Sequence, residues 1–288
     1  MKKGLLLLVI ILILSGASFA GFRKRNRLPQ ELEVHFIDIG QGDSMLVRTV
    51  GGKNMLIDAG SGKESDKLID YLKVEGIKKL DVVIATHPDE DHIGGMARVI
   101  KDFEIGSFYM PNRVHNTASF EQMLLNLKDK KVEVLPAHAG EKIPFDPDVE
   151  LLVLNPDKRE YINNNSYSIV TKLTYQNNSF LFTGDIDAVN EYNLLSDYYE
   201  QLDSDVLKIA HHGSSSSSSP DFIKAVSPAA GVISCGRDNN YGHPHAEVLK
   251  RLKGFGIPIY RTDEQGSIVF YSDGQNIEVN SSTTGSYE

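Results

Sequence analysis

The sequence has very little sulfur with which to cross-link itself or to bind metal. Cys235 is the single cysteine among 288 residues, so an intrachain disulfide is excluded. Metal sites rich in cysteine are excluded for the same reason. Any metal ion must therefore be held by His, Asp or Glu side chains.

Positive charge is also scarce. The 30 Lys and Arg residues face 39 Asp and Glu residues, and the formal net charge is −9. A chain of this charge lacks the non-specific attraction to phosphate that basic proteins use on nucleic acids. Any hold on a phosphate polymer must come from a local feature such as bound cations.

An apolar run occurs at the N-terminus. Lys2 and Lys3 precede the apolar residues 5–14, and residues 16–20 place small side chains at the −3 and −1 positions of a cleavage after Ala20. This layout is typical of a secretory signal, which predicts export of the chain.

Positive charge directly after this segment leaves a second interpretation open. Basic residues at 23–25 and at Arg27 resist translocation, so residues 1–20 can also remain as an uncleaved anchor. We predict a signal peptide or N-terminal anchor over residues 1–20 and a basic linker over 21–30. The protein is expected to be extracellular, either secreted or tethered to the outer face of the cytoplasmic membrane.

Short apolar segments alternate with helical patterns along the rest of the chain. Because no linker long enough to divide this region occurs, we predict one α/β domain of two similar halves over residues 31–280 and a disordered tail over 281–288. A tight hairpin turn is predicted at Asn177 and Asn178. Predicted strands cover residues 33–39, 44–50, 54–60, 82–86, 168–175, 179–185, 205–210, 231–235, 258–260 and 267–272, and predicted helices cover 65–76, 187–199 and 246–256, with another beginning at Ser219.

Histidine and aspartate cluster at the ends of four predicted strands, where α/β proteins usually place ligands. The densest cluster follows strand 82–86 and contains three carboxylates that repel one another, Asp89, Glu90 and Asp91. Such crowding becomes favourable when divalent cations offset the charge and the cost of desolvation. The sequence therefore predicts a metal site. The clusters are His87, Asp89, Asp91 and His92, then Asp185, then His211 and His212, then His243 and His245.

The order of these motifs resembles the metallo-β-lactamase superfamily. The HxHxDH signature of that superfamily appears as HxDxDH at residues 87–92, with Asp89 at the second histidine position. With this departure, the chain resembles the extracellular hydrolase domain of the ComEC/Rec2 competence proteins. The similarity extends from about residue 34 to residue 269. The other matching motifs are GQGD at 40–43, TGD at 183–185, HHGSSSSSSP at 211–220 and YGHPH at 241–245.

The resemblance implies a four-layer αββα sandwich with two divalent metal ions at one edge. His87 and Asp89 would bind one ion, and Asp91 and His92 the other. Asp185 would bridge the two ions.

Two adjacent histidines compete for the last ligand position. We favour His212, with His211 facing the substrate, and the reverse assignment stays open. A further histidine that most of the superfamily carries is missing, and Asn165 and Ser168 stand in its region, where either would ligate weakly or orient a ligand. The resulting oxygen-rich ligand set makes manganese a candidate beside zinc.

The resemblance also implies roles around the metals. Asp91 would orient the nucleophilic water or accept its proton. Asp58 follows a predicted strand, with Gly60 suited to a tight turn, and is expected to bond loop amides or the ring N–H of a ligand rather than to bind metal itself. His243 and His245 would contact a phosphate or protonate the leaving group, unless their loop is simply a turn with two exposed histidines.

Two further stretches have structural and functional interpretations. The GQGDS turn at residues 40–44 is expected to support neighbouring groups, with a phosphate cradle as the alternative. The serine run at 214–219 is expected to be a flexible loop, although its position after two histidines leaves room for a substrate-facing role.

The expected function is that of an exported, metal-dependent phosphodiesterase or nuclease acting on DNA, with no stable protein partner. A second hypothesis keeps the chemistry but changes the substrate to a cell-wall phosphodiester, a phosphorylcholine ester or a lactone. A third treats the domain as a metal-stabilised binding module at the cell surface.

Overall fold

A computed structural model describes residues 31–281 of the chain. The predicted signal or anchor, the basic linker and the predicted tail from residue 282 onward lie outside this range. None of the helices between residues 31 and 281 combines the length and the apolar composition that crossing a bilayer requires.

Strands and helices alternate along the described residues. The strands are β1 Leu32–Phe36, β2 Met45–Arg48, β3 Asn54–Ile57, β4 Lys79–Ile84, β5 Glu104–Met110, β6 Val134–Pro136, β7 Glu150–Asn155, β8 Val170–Tyr175, β9 Asn178–Phe182, β10 Val206–Lys208, β11 Ala230–Ile233, β12 Ile259–Arg261, β13 Ile268–Ser272 and β14 Ile277–Ser281. The helices are α1 Ser65–Val74, α2 Glu90–Ile93, α3 Met96–Asp102, α4 Ala118–Asp129, α5 Ala188–Asp197, α6 Tyr199–Leu202, α7 Pro220–Val226, α8 Ala246–Gly254 and α9 Thr262–Gln265, with 3-10 turns at Gly62–Glu64, Asn165–Tyr167 and Ala210–Gly213.

The strands form two sheets. The first has eight strands in the order β14-β13-β1-β2-β3-β4-β5-β6, and the second has six in the order β12-β11-β10-β9-β8-β7. Pairing is parallel from β3 to β6 and from β9 to β12, so the carboxyl ends of these strands meet at one edge of each sheet.

Aromatic rings fill the space between the two sheets. Phe36 of the first sheet lies 6.1 Å from Phe182 of the second and 5.8 Å from Phe270, measured between ring centroids. All three side chains are buried. Burial of a side chain of this size stabilises the fold by about 1.5–3 kcal/mol, so this layer is a main source of stability.

Helices cover the outer face of each sheet. α1, α3 and α4 bury an apolar face against the first sheet, and α5, α7 and α8 do so against the second. In α1 the buried residues Leu68, Ile69 and Leu72 recur at helical spacing, which is why this segment forms a helix rather than a strand. The predicted four-layer αββα sandwich is confirmed.

Local signals agree with the structure at most of the predicted elements. Ser219 caps α7 by accepting a hydrogen bond from the amide of Phe222, and Pro220 occupies the first helical position. The predicted hairpin turn is displaced by one residue, because Tyr175 pairs with Asn178 and the two-residue loop is Gln176-Asn177.

Several elements had no prediction. Between residues 97 and 163 the chain forms most of α3 together with β5, α4, β6 and β7. β14 extends to Ser281, one residue past the predicted end of the domain. β6 and β14 are edge strands whose exposed side chains weaken the alternation on which a strand prediction depends.

Candidate metal centre

The four clusters of histidine and aspartate meet at one edge of the sandwich. His87 follows β4, Asp185 follows β9, and His212 follows β10. Each of these strands belongs to the parallel part of its sheet and ends at the same edge, so segments distant in the sequence bring their side chains together.

Asp91, His92, Asp185 and His212 form a compact quartet whose ligand atoms all lie within 4.8 Å of one another. Nε2 of His92 lies 3.2 Å from Oδ2 of Asp185. Nε2 of His212 lies 3.2 Å from Oδ2 of Asp91 and 3.3 Å from Oδ2 of Asp185. Burial opposes ionisation of Asp185, but His212 and His92 outweigh it and hold its pKa well below the usual range. The carboxylate of Asp185 is therefore ionised, as a metal ligand must be.

Buried atoms without hydrogen-bond partners test whether these residues fit a metal. Within the described residues, Nε2 of His87, His92 and His212 and Oδ1 of Asp185 are buried and accept or donate no hydrogen bond. Buried polar atoms are rarely left unpaired, because each costs about 1–3 kcal/mol. Divalent cations would satisfy these atoms, so the side chains fit a nitrogen- and oxygen-ligated metal centre.

The opposite ring nitrogen of each of these histidines is occupied by an acceptor. Nδ1 of His92 donates to Oδ2 of Asp58 over 2.8 Å, and Nδ1 of His212 donates to the carbonyl oxygen of Ser234 over 2.9 Å. Such bonds hold a proton on Nδ1. Burial lowers the pKa of both rings, but Asp185 outweighs it and raises the pKa well above the usual value, so Nε2 is protonated as well without a cation. A cation that displaces this proton would leave hydrogen on Nδ1 alone. This is the tautomer that metal ligation through Nε2 requires.

Asp58 holds His92 and the strand end together. Its carboxylate also accepts hydrogen bonds from the amide and the hydroxyl of Thr86, at 2.8 and 2.7 Å. Since the Thr86 hydroxyl gives its proton to Asp58, it can accept from Nδ1 of His87, which lies 3.1 Å away. One carboxylate thus orients two of the predicted metal ligands.

Replacing Asp58 by asparagine is expected to lower metal affinity by about 10- to 100-fold, because an amide oxygen is a weaker acceptor for His92. Asparagine is chosen because Asp58 has a φ of +58°, a conformation that asparagine also tolerates. The affinity is measured by competition with a chromophoric chelator. Asp70→Asn, on the exposed face of α1, is the matched control, and equal affinities in all three proteins would contradict the role given to Asp58.

The GQGDS turn contributes Asp43, a residue for which no role was predicted. Oδ1 of Asp43 lies 3.3 Å from Nδ1 of His212, and Oδ2 lies 2.8 Å from Nζ of Lys208, with all three side chains buried. A lysine inside the apolar strand 205–210 was the available signal. Buried charges of this kind occur in pairs.

The same turn packs against the first cluster. The amide of Asp43 donates to the carbonyl oxygen of Asp91, and a Cβ added at Gly42 would lie 2.2 Å from that oxygen. The turn therefore supports metal-site residues, as expected. The alternative of a phosphate cradle loses this amide as a donor.

His87 and Asp89 lie beside the quartet. The ring of His87 is 4.1 Å from that of His92, and its Nε2 is 3.8 Å from Oδ2 of Asp89. Burial, together with His92, lowers the pKa of His87 to about 3, which keeps the imidazole neutral as a metal ligand must be. Oδ1 of Asp89 accepts from the side-chain amide of Asn164, another contact that the sequence did not predict.

Asn165 and Ser168 contact predicted ligands without joining the quartet. Nδ2 of Asn165 lies 3.4 Å from Nε2 of His211. Oγ of Ser168 accepts from the amide of Asp185 and lies 3.4 Å from Nδ1 of His87. Their geometry is that of groups that orient neighbours.

The structure places the two adjacent histidines differently. His212 lies in the quartet, whereas Nε2 of His211 is 3.8 Å from Oδ2 of Asp185 and engages Asn165. Both residues adopt positive φ, +51° and +53°, a local strain typical of functional sites. His211 therefore stands at the margin of the metal centre, and His212 at its centre.

His243 and His245 are half-buried, so their loop is more than a turn with two exposed histidines. Nδ1 of His245 accepts the amide hydrogen of Ser215 over 2.9 Å, which places the ring proton on Nε2. This tautomer suits a hydrogen-bond donor. Burial, with His212 and His211 nearby, lowers the pKa of His243 to about 4, so this ring is neutral at pH 7.

The serine run at 214–219 is packed, and the prediction of a flexible loop was wrong for most of it. The carboxylate of Glu191 accepts hydrogen bonds from the amides of Ser218 and Ser219. The guanidinium of Arg251 donates to the carbonyl oxygens of Ser217 and Ser218. Two buried or half-buried side chains on α5 and α8 thus hold the run in place.

Comparisons with known proteins agree with this geometry. Residues 37–237 match the family model described as the Metallo-beta-lactamase superfamily. The chain is 31% identical to ComE operon protein 3 of Bacillus subtilis over 84% of its own length and 33% of that protein, and 32% identical to Competence protein ComA of Neisseria gonorrhoeae over 90% and 35%. It therefore spans about a third of the length of these curated relatives.

A solved structure shares the fold. The metallo-beta-lactamase fold protein YhfI from Bacillus subtilis superimposes with a TM-score of 0.56 at 14% identity, covering 84% of this chain and 100% of that one. At such low sequence identity, this superposition shows that the two proteins share a fold.

Proposed function

This chain belongs to the metallo-beta-lactamase superfamily and is a hydrolase of that fold related to competence proteins, and from that membership we propose that it is a metal-dependent phosphodiesterase that cleaves DNA. The observation that carries the proposal is the quartet with its unpaired Nε2 and Oδ1 atoms. These atoms converge from three strand ends, and divalent cations are the partners that would satisfy them.

We assign two cations, zinc or manganese, to this centre. His87 and Asp89 would hold one, and Asp91, His92 and His212 the other, with Asp185 shared. When bound, such a pair lowers the proton affinity of a water molecule and polarises a phosphoryl oxygen. The oxygen-rich side around Asp89 is what keeps manganese a candidate.

The side chains divide the remaining work. Asp91 is partly exposed, and although burial opposes its ionisation, the neighbouring imidazole of His212 holds its pKa below the usual range. Its carboxylate is thus available to orient a water molecule and to accept a proton. His211, His243 and His245 border the same space and would donate to phosphate oxygens or to the leaving oxygen.

The name of one relative favours DNA as the substrate. A relative that shares about a third of its length with this chain is named Competence protein ComA. The net charge of −9 leaves bound cations as the main attraction for phosphate. Few Lys or Arg side chains are then expected to contact phosphates, about one or two. The plot of log affinity against log salt concentration should therefore have a shallow slope, because each such contact adds roughly 0.9 to its magnitude.

The decisive experiment is elemental analysis of the purified protein followed by add-back of manganese or zinc. Plasmid DNA and a bis-aryl phosphodiester are offered side by side. We expect metal-dependent cleavage of both. Turnover of the small ester with untouched DNA would move the substrate to a cell-wall phosphodiester, a phosphorylcholine ester or a lactone. Specific metal uptake with no turnover of any ester would favour a surface binding module.

Export is proposed from residues 1–20, which lie outside the described residues. Fractionation of cells that express the full chain, with N-terminal sequencing of the product, tests it. A mature N-terminus at residue 21 in the medium indicates cleavage. An intact chain at the outer face of the cytoplasmic membrane indicates an anchor, and a cytoplasmic product contradicts export.

A further inference from the structure

An exposed tyrosine stands beside the metal centre. Tyr241 is 65% exposed, and its ring stacks on that of His243 with 5.6 Å between centroids and 19° between planes. The ring of His243 in turn lies 5.5 Å from that of His211 and 6.0 Å from that of His212. One face of the phenol is covered by an imidazole that borders the quartet, while the side chain as a whole stays open to solvent.

The backbone that carries this ring is held in place. Oδ1 of Asn239 accepts the amides of Tyr241 and His243, and its Nδ2 donates to the carbonyl oxygens of Gly236 and His243. All of these bonds come from one side chain, which therefore organises the whole turn. An aromatic ring positioned in advance loses little conformational entropy when it stacks on a ligand.

The other side of the loop is fixed as well. The amide of His245 donates to the carbonyl oxygen of Gly213, and a Cβ added at Gly213 would lie 2.6 Å from Cβ of Pro244. The loop thus packs directly against the residue that follows His212. The position of Tyr241 relative to the metal centre is set by these contacts.

We propose that Tyr241 is a base-stacking residue that makes single-stranded nucleic acid the preferred substrate, an inference that rests on the proposed nuclease function. Stacking on an aromatic ring needs no positive charge, which suits a chain of net charge −9. An unpaired base offers a free face, whereas the bases of a duplex stack on one another. The ring lies beside His243, so the stacked base belongs to a nucleotide close to the scissile phosphate.

The test compares Tyr241→Ala, Tyr241→Phe and wild type on a labelled single strand and on copies with one abasic residue at successive positions. We expect Tyr241→Ala to raise KM about tenfold with kcat changed less than about twofold, within the range measured for loss of one base–aromatic stack. Tyr241→Phe keeps the ring and is expected to stay near wild type. At one position, the abasic residue should raise the KM of wild type by a similar factor and leave the KM of Tyr241→Ala unchanged.

Controls separate this inference from the function on which it rests. Tyr199→Ala removes another exposed tyrosine, on α6, and is expected to cleave like wild type. If wild type cleaves single strands and Tyr241→Ala matches it on every substrate, the stacking role is overturned and the nuclease function stands. Cleavage of duplex DNA by wild type as fast as cleavage of single strands would likewise overturn the stacking role. If wild type cleaves no DNA, the proposed nuclease function fails. Binding of a labelled single strand to the metal-loaded protein, measured by fluorescence anisotropy, then decides the stacking role. Base-dependent binding that is lost in Tyr241→Ala supports this role, and wild-type binding that does not depend on the bases overturns it.

Discussion

Asp185→Asn is expected to abolish tight metal uptake at the quartet and to reduce hydrolysis by more than about 100-fold. Oδ2 of Asp185 lies within 3.3 Å of Nε2 of both His92 and His212, so this carboxylate is the one shared by the converging imidazoles. Removing a partner that merely orients a ligand costs about 10- to 100-fold, and loss of a ligand should exceed that. The amide has nearly the same shape as the carboxylate, so the backbone of the site is retained.

The measurement is the metal-to-protein ratio together with initial rates at saturating metal. Asp203→Asn changes an exposed carboxylate before β10 and serves as the matched control. Thermal unfolding adds a second readout, because a metal ion at a free concentration of about 100 times its Kd stabilises the fold by about 2.7 kcal/mol. Metal should raise the Tm of wild type and of the control but not of Asp185→Asn. A variant with full metal content and wild-type rates would refute the shared-carboxylate assignment.

Lys208→Met is expected to lower the free energy of unfolding by about 3–5 kcal/mol, the usual cost of removing one partner of a buried ion pair. Lys208 and Asp43 are both fully buried, with 2.8 Å between Nζ and Oδ2. Methionine fills the volume of the lysine stem but leaves the Asp43 carboxylate without its cation. The Tm should fall by roughly 10 °C, since each kcal/mol shifts a domain of this size by about 2–4 °C.

Charge rather than volume should explain this loss. Lys224→Met, on the exposed side of α7, is expected to leave the Tm within about 1 °C of wild type. The double variant Asp43→Asn with Lys208→Met removes both charges and should recover part of the stability. If Lys208→Met alone unfolds like wild type, Asp43 is not held by this lysine.

The difference should also depend on pH. Burial opposes ionisation of Asp43, but Lys208 and His212 outweigh it and lower its pKa in the folded chain below the model-peptide value of 3.8. A lowered pKa contributes stability that is present above 3.8 and is lost as pH falls through the folded pKa. The gap between wild type and Lys208→Met should therefore be largest near neutrality and should shrink below about pH 4, which urea titrations at several pH values would detect.

Local patterns identified the side chains that the structure brings together at the candidate metal centre. Each motif is short, and its side chains follow an apolar strand directly, so their position at a strand end could be inferred from neighbouring residues. The choice between His211 and His212 could not, because both residues adopt the same left-handed backbone conformation, with φ of +51° and +53°. Only contacts with distant residues, Asn165 for His211 and Ser234 for His212, separate their roles.

The packing of the serine run shows a second limit. Six serines in sequence carry no apolar pattern, and composition alone indicates a loose loop. The run is held by Glu191 and Arg251, which come from helices on either side of it along the chain. Neither helix pattern indicates which backbone groups its polar side chains will meet.

The sequence by itself determined the donor chemistry of this protein: nitrogen and oxygen ligands without sulfur, placed after strands, in an acidic chain. Only the tertiary structure decided how the donors are supported, through Asp43 with Lys208, Asp58 with Thr86, and Asn164 with Asp89. The physical reason is range. Strand and turn patterns depend on near neighbours, whereas the partner of a buried polar group is whichever complementary group the packed sheets bring within hydrogen-bond distance.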